Sequence, residues 1–229
     1  NMINKRQTSV NIEKLKADMT AVNARGLAQV EVDEIIQFAK MYQVYEAAQN
    51  EVATKLENLD AEFQLNYNHN PIHHMDGRMK SPESLVGKMQ KKGLERTVKT
   101  LTDNVFDIAG LRVITNYIED IYTIERLLTH QSDVTVLKRK DYVETPKASG
   151  YRSLHLVVTV PVFLSTGVVD TPVEIQIRTV GMDMWASLEH KLRYKTDDDR
   201  AEEHAQQLER YAGELFDIER NLQAIHQDL

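Results

Sequence analysis

From Val32 to Tyr67, apolar residues recur at threes and fours: Ile35, Ala39, Tyr42, Val52, Leu56, Leu59 and Phe63, with no Gly or Pro among them. That period predicts one long helix. Further along, the period becomes two. From Leu154 to Val160, Leu154, Leu156, Val158 and Val160 share one face, while Ser153, His155, Val157 and Thr159 take the other. Val173, Ile175 and Ile177 likewise alternate with Glu174, Gln176 and Arg178. The two runs predict antiparallel strands with one wet face, joined between Val162 and Thr171 through Ser165-Thr166-Gly167 and Asp170.

Shorter signals fill the remainder. Ile72 to Lys80 reads as a strand, and Ser81-Pro82 as the N-cap and first turn of a helix reaching Lys92. Residues 94–101 read as a short helix, 105–114 as a loop entering a buried strand, and Ile118 to His130 as an amphipathic helix. A strand follows over 134–138 toward 141–143. A helix from Met182 to Tyr194 is expected to carry Trp185, Leu188 and Leu192 inward, and a last helix bears Leu208, Tyr211, Leu215, Ile218, Leu222 and Ile225 at heptad-like spacing. Residues 11–22 read as a short helix and 196–200 as a hinge. The sum is an α+β chain with a mixed sheet of roughly five strands between helices, and long helices at both ends.

The chain has 229 residues and no cysteine, which excludes disulfides, thiolate metal sites and cysteine nucleophiles. One large domain over 1–229 is expected, with a core at 69–194, N-terminal helices at 10–67 and a C-terminal helix at 200–228. No apolar run reaches the ~20 residues that span a bilayer, and the N-terminus lacks a signal peptide's apolar stretch. The expected location is therefore cytoplasmic. The leading Asn1-Met2 reads as an addition ahead of the natural start. A net charge of −7 invites no nucleic acid. Between Arg78 and Arg112, however, Lys80, Lys88, Lys91, Lys92, Arg96 and Lys99 outnumber Glu83, Glu95, Asp103 and Asp107, a local positive field suited to a small polyanion.

Candidate chemistry gathers at two places. Arg78 and Lys80 lie two apart on a strand, and Ser84 and Lys88 four apart on the next helix, so all four can converge at a strand-to-helix junction where free N–H groups favour anions. A solvated basic helix start is the plainer reading. Asp107 stands at the mouth of the following strand, Gly110 permits close backbone approach, and Arg112 follows. The second place is the cationic, aromatic entry Lys147, Tyr151, Arg152 and His155, beside the face carrying Glu174 and Gln176. Lysine and arginine meet phosphate, and a ring stacks on a base. His69, His73 and His74 crowd a turn and could hold a metal, yet surface histidines explain them as well.

Taken together, Arg78-x-Lys80 with Ser84 and Lys88, Asp107-Ile108-Ala109-Gly110-Leu111-Arg112, Lys140-Asp141-Tyr142, Pro146-Lys147, Gly150-Tyr151-Arg152-Ser153-Leu154-His155, Glu174-Ile175-Gln176-Ile177-Arg178-Thr179 and Trp185 to His190 resemble the synthetase domain of the RelA/SpoT family. The likeness runs from His69 to Tyr194 and is narrowest with the single-domain small alarmone synthetases. It implies a nucleotidyltransferase-like fold and a GTP/GDP diphosphokinase that moves the β,γ-pyrophosphate of ATP to the 3′-hydroxyl of GDP or GTP. It assigns Arg78, Lys80, Ser84, Lys88 and Arg112 to ATP, and Lys147, Tyr151, His155 and Gln176 to the acceptor. Asp107 and Glu174 become the catalytic and Mg²⁺-holding carboxylates.

The resemblance also implies a homotetramer built through the terminal helices. It further implies synthesis without hydrolysis, since the hydrolase His-Asp dipeptide does not occur. The resemblance leads us to expect an aromatic at position 74, where His74 stands, and Asp76 is an acid that would face a polyphosphate unfavourably, so activation by the product in a central cleft is not expected. The rival readings are a nucleotidyltransferase moving a nucleoside monophosphate, which wants two aspartates flanking one residue on a strand, and a catalytically inactive nucleotide sensor or RNA-binding module.

Overall fold

The computed structural model describes residues 3–4, 32–193 and 201–228. The expected helix at 11–22, the end of the helix at Tyr194 and the hinge at 196–200 lie outside the described residues.

The predicted long helix is α1 (Val32–Tyr67). It is followed by β2 (Ile72–Met79), α2 (Pro82–Lys91), α3 (Val98–Asn104), β3 (Ala109–Thr115), α4 (Ile118–Thr129), β4 (Thr135–Asp141), β5 (Leu154–Leu164), β6 (Gly167–Thr179), α5 (Val180–Arg193) and α6 (Ala201–Gln227). Five strands form a mixed sheet in the order β2-β3-β6-β5-β4, and the two-residue β1 (Ile3–Asn4) adds in parallel to the β2 edge. The β3–β6 pair is parallel; the pairs β2–β3, β5–β6 and β4–β5 are antiparallel.

Alternation decides which face is buried. Leu111, Val113, Leu154, Leu156, Val158, Val173, Ile175 and Ile177 point to one side and join Val52, Leu56, Ile121, Ile124 and Leu128 in a continuous core. There α1 and α4 lie against the sheet. Fully burying one such aliphatic side chain contributes about 1.5–3 kcal/mol. The opposite face keeps its polar residues, and α5 folds back to touch β3 and β6 at one end of it.

Four expectations need correction. The β5–β6 hairpin closes at Ser165-Thr166, pairing Leu164 with Gly167, so both strands run well past their predicted ends. The residues that looked like loop are the hairpin's exposed tip, where Phe163 is 77 % exposed. The short helix starts at Val98, because Thr97 caps it by accepting from the Thr100 N–H at 3.1 Å. Ser153 is buried and donates to the Ile177 carbonyl at 3.2 Å, leaving the polar face it was expected to join. Leu188 and Leu192 are exposed, while Trp185 is buried as predicted and its indole N–H donates to the Leu208 carbonyl at 2.8 Å.

One buried acid sets where β2 begins. Asp60, in α1, is fully buried, and its two carboxylate oxygens accept from the Ile72 N–H at 2.8 Å and the Asn70 amide at 2.7 Å. Asp60→Ala strands both donors, and we expect a loss of about 2–4 kcal/mol in urea unfolding. A loss below ~0.5 kcal/mol would show that β2 is placed by other contacts.

Candidate active site

Strand register lays the polar face out in two rows. One row reads Asp76, Arg112, Gln176, His155 and Lys140 across neighbouring strands; the next reads Arg78, Gly110, Glu174, Val157 and Lys138. Gly110 therefore leaves bare backbone between Arg78 and Glu174.

Asp107 sits just before β3, where β2 turns toward α2. The Lys80 N–H donates to the Ile108 carbonyl at 2.8 Å, tying the two mouths together. Lys80 Nζ reaches Asp107 Oδ2 at 2.5 Å, and Lys88 Nζ reaches Oδ1 at 2.6 Å. Burial pushes the Asp107 carboxyl up, but the hydrogen bonds and charges of the two lysines outweigh it and hold the group below the usual range. Glu174 behaves oppositely: burial, then the charge of Asp107, push it up, against weaker opposition from Gln176 and the lysines. A shared environment thus splits two carboxylates into one firmly ionised and one with raised proton affinity.

Ser84 lies in the first turn of α2, one turn before Lys88. Ser81 caps that helix, accepting from the Ser84 N–H at 3.3 Å, and the two hydroxyls are 2.9 Å apart. Of the four residues expected to converge, Lys80 and Lys88 meet at Asp107 and Ser84 lies one turn before Lys88, while Arg78 stands in the strand row beside Gly110 and Glu174.

The aromatic entry assembles separately, at the mouth of β5. Tyr151 Oη and His155 Nε2 share a hydrogen bond of 2.9 Å. Lys147 Nζ stands 4.7 Å from the centroids of both Tyr142 and Tyr151, and the Arg178 guanidinium is 5.7 Å from the Tyr151 ring. Arg178 also donates to Gln176 Oε1 at 2.9 Å, and Gln176 reaches Glu174 at 3.4 Å. A chain of contacts therefore runs from Tyr151 to the carboxylate pair.

Arg152 does not belong to this group. Its guanidinium stacks on Phe216 of α6, 3.9 Å from the ring centroid, and bonds the Val143 carbonyl. Composition alone did not reveal that this side chain packs away from the Tyr151 group. The histidines separate too. His69 Nε2 contacts Asp120 at 2.8 Å and its ring lies against Tyr117 and His226, whereas the His73 and His74 ring nitrogens are 2.8 Å apart on β2. Among the described residues no three His, Asp or Glu converge as a metal nest.

Two residues at this end were not singled out from the sequence. Asp183, in the first turn of α5, lies near Arg112 and Arg178; an acid just after an arginine-bearing strand was the available signal. Glu219, on α6, accepts from the Gly181 N–H at 2.9 Å, and nothing local in the sequence pointed to it.

A family model described as a region found in RelA / SpoT proteins matches residues 77–199, and the GTP pyrophosphokinase YwaC of Bacillus subtilis is 46 % identical over 156 residues, 68 % of this chain and 74 % of that protein. The chain belongs to the RelA/SpoT family. Two solved members share its fold. Small alarmone synthetase 2 of Bacillus subtilis is 39 % identical, with a TM-score of 0.72 over 82 % of this chain and 98 % of that one. Small alarmone synthetase 1 of Bacillus subtilis, solved with its product pppGpp, is 31 % identical, with a TM-score of 0.74 over 84 % and 98 %. This agrees with the fold and family expected from the motifs.

His155 offers a direct check on this geometry. Burial, then Lys147, Arg178 and Lys140, push its imidazole from 6.5 down to about 4. Between those two values the unfolded chain holds more protons than the folded one, so His155 weakens the fold as pH falls through that window. NMR should place its titration midpoint near 4 in the ligand-free protein. A midpoint near 6.5 would mean that the ring is solvated and not enclosed by those cations.

Proposed function

We infer that the chain is a (p)ppGpp synthetase: it transfers the β,γ-pyrophosphate of ATP to the 3′-hydroxyl of GDP or GTP, yielding AMP and ppGpp or pppGpp. The observation that carries the reading is the Asp107–Glu174 pair, flanked on one side by Lys80 and Lys88 and linked on the other through Gln176 and Arg178 to the Tyr151 ring. Donor and acceptor subsites thus meet at the carboxylates. Family membership, and the product held by small alarmone synthetase 1, supply the chemistry that such a meeting point serves.

In this reading Arg78 and Arg112 take the adenine, while Lys80, Ser84 and Lys88 take the ATP phosphates. Lysines that neutralise Asp107 are within reach of a polyphosphate laid against the same junction. Asp107 and Glu174 are hard oxygen donors, and magnesium commonly uses one or two carboxylates and completes its shell with water and phosphate, so the donor set fits that ion. When bound, it would neutralise charge building on the phosphoryl oxygens. Tyr151 stacks on guanine, with Lys147, His155 and Gln176 beside the acceptor.

The acceptor 3′-oxygen attacks the β-phosphorus in line; the bond to the α,β-bridging oxygen breaks and AMP leaves with that oxygen. The Glu174 carboxylate accepts the hydroxyl proton. Positioning and electrostatics carry most of the acceleration. We take the chain as one synthetase domain that works in the cytoplasm as a homotetramer. The exposed stripes Met184, Leu188 and Leu192 on α5, and Tyr211, Ile218, Leu222 and Ile225 on α6, support burial against further copies.

Incubation with Mg-ATP and GDP, resolved by anion exchange, should give AMP and ppGpp in equal amounts. Asp107→Ala and Glu174→Gln should each lower kcat at least ~100-fold. ATP left whole, or converted to ADP, would refute pyrophosphate transfer.

A further inference from the structure

We propose that Asp183 is a positioning residue: one carboxylate oxygen, Oδ1, is shared by the guanidinium groups of Arg112 and Arg178 and holds Arg112 at the donor end of the polar face. Arg112 Nη1 lies 3.8 Å and Arg178 Nη1 3.5 Å from that atom. This deepens the synthetase reading and rests on its assignment of Arg112 to ATP.

The arrangement is held by charge. Arg112 Nε, Arg178 Nε and Asp183 Oδ1 are all buried without a hydrogen-bond partner, so a single anion between two cations opposes their mutual repulsion. The two arginines are not equally free. Arg178 has a side chain only 4 % exposed, donates to Gln176 Oε1 at 2.9 Å and lies over Tyr151. The Arg112 side chain is 38 % exposed. Loss of the anion therefore releases Arg112 toward solvent and leaves Arg178 in place. Asp183 is itself placed from outside the sheet, because Glu219 on α6 accepts from the Gly181 N–H at the start of α5. A Cβ at Gly181 would come within 2.6 Å of Glu219 Oε1, so the helix start and the acid fit closely.

An acid in the first turn of a helix also stabilises the helix without serving any ligand. The two roles separate in nucleotide binding. Calorimetric titration of the full chain with a non-hydrolysable ATP analogue, and separately with GDP, compares the unaltered protein with Asp183→Asn, with thermal unfolding recorded alongside. We expect the analogue's Kd to rise roughly three- to thirtyfold and the GDP Kd to change less than about twofold. Asp183→Glu should restore part of the analogue's affinity, and Asp183→Asn should add nothing in an Arg112→Ala background. Equal weakening of both nucleotides, no weakening, an effect that persists without Arg112, or no analogue binding by the unaltered chain each overturns the proposal. The readout is binding, so its failure is distinct from failure of the synthetase reading, which is judged by AMP and ppGpp formation.

Discussion

The parallel pairing of β3 with β6 is the constraint from which the site follows. It sets Gly110 beside Glu174 and Arg112 beside Gln176, and every neighbouring strand must then pair with the face that keeps its apolar residues in the core. A slip of one residue would bury Glu174 and Gln176 and expose Ile175 and Ile177. Core packing and site geometry are therefore one requirement. The helices that bury the apolar face fix the polar face without touching most of it.

Much of this was legible in the sequence because strand alternation is a short-range signal. The faces of Leu154 to Val160 and of Val173 to Arg178, the α1 span and the Ser81-Pro82 helix start all appear as read. What escaped was decided by partners distant in the chain. The Ser153 hydroxyl turns inward to the Ile177 carbonyl, Arg152 turns outward to Phe216, and Leu188 and Leu192 stay exposed because α6 meets α5 elsewhere, at Trp185. The β5–β6 tip misled for another reason: Val168 and Val169 continue strand pairing past a Thr-Gly turn signal that looked like the centre of a longer loop.

The site residues follow the same division. The motifs identified Asp107, Lys80 and Lys88 individually, and the structure adds that they neutralise one another. Period two put Glu174 and Gln176 on one face, but the opposite proton affinities of Glu174 and Asp107 depend on burial and mutual distance, which no local pattern encodes. Asp183 and Glu219 act through contacts that exist only once α5 and α6 have docked.

Gly110 separates two demands that usually coincide. A Cβ there would stand 3.4 Å from the Arg78 carbonyl and 4.0 Å from that of Glu174, ordinary contact distances, so the folded chain has room for a methyl group. If a nucleotide lies on that bare strip, as the synthetase reading holds, the added methyl would crowd the ligand while making only ordinary contacts with the chain. Selection for a stable fold alone would let this position drift, and selection for nucleotide use would hold it as glycine.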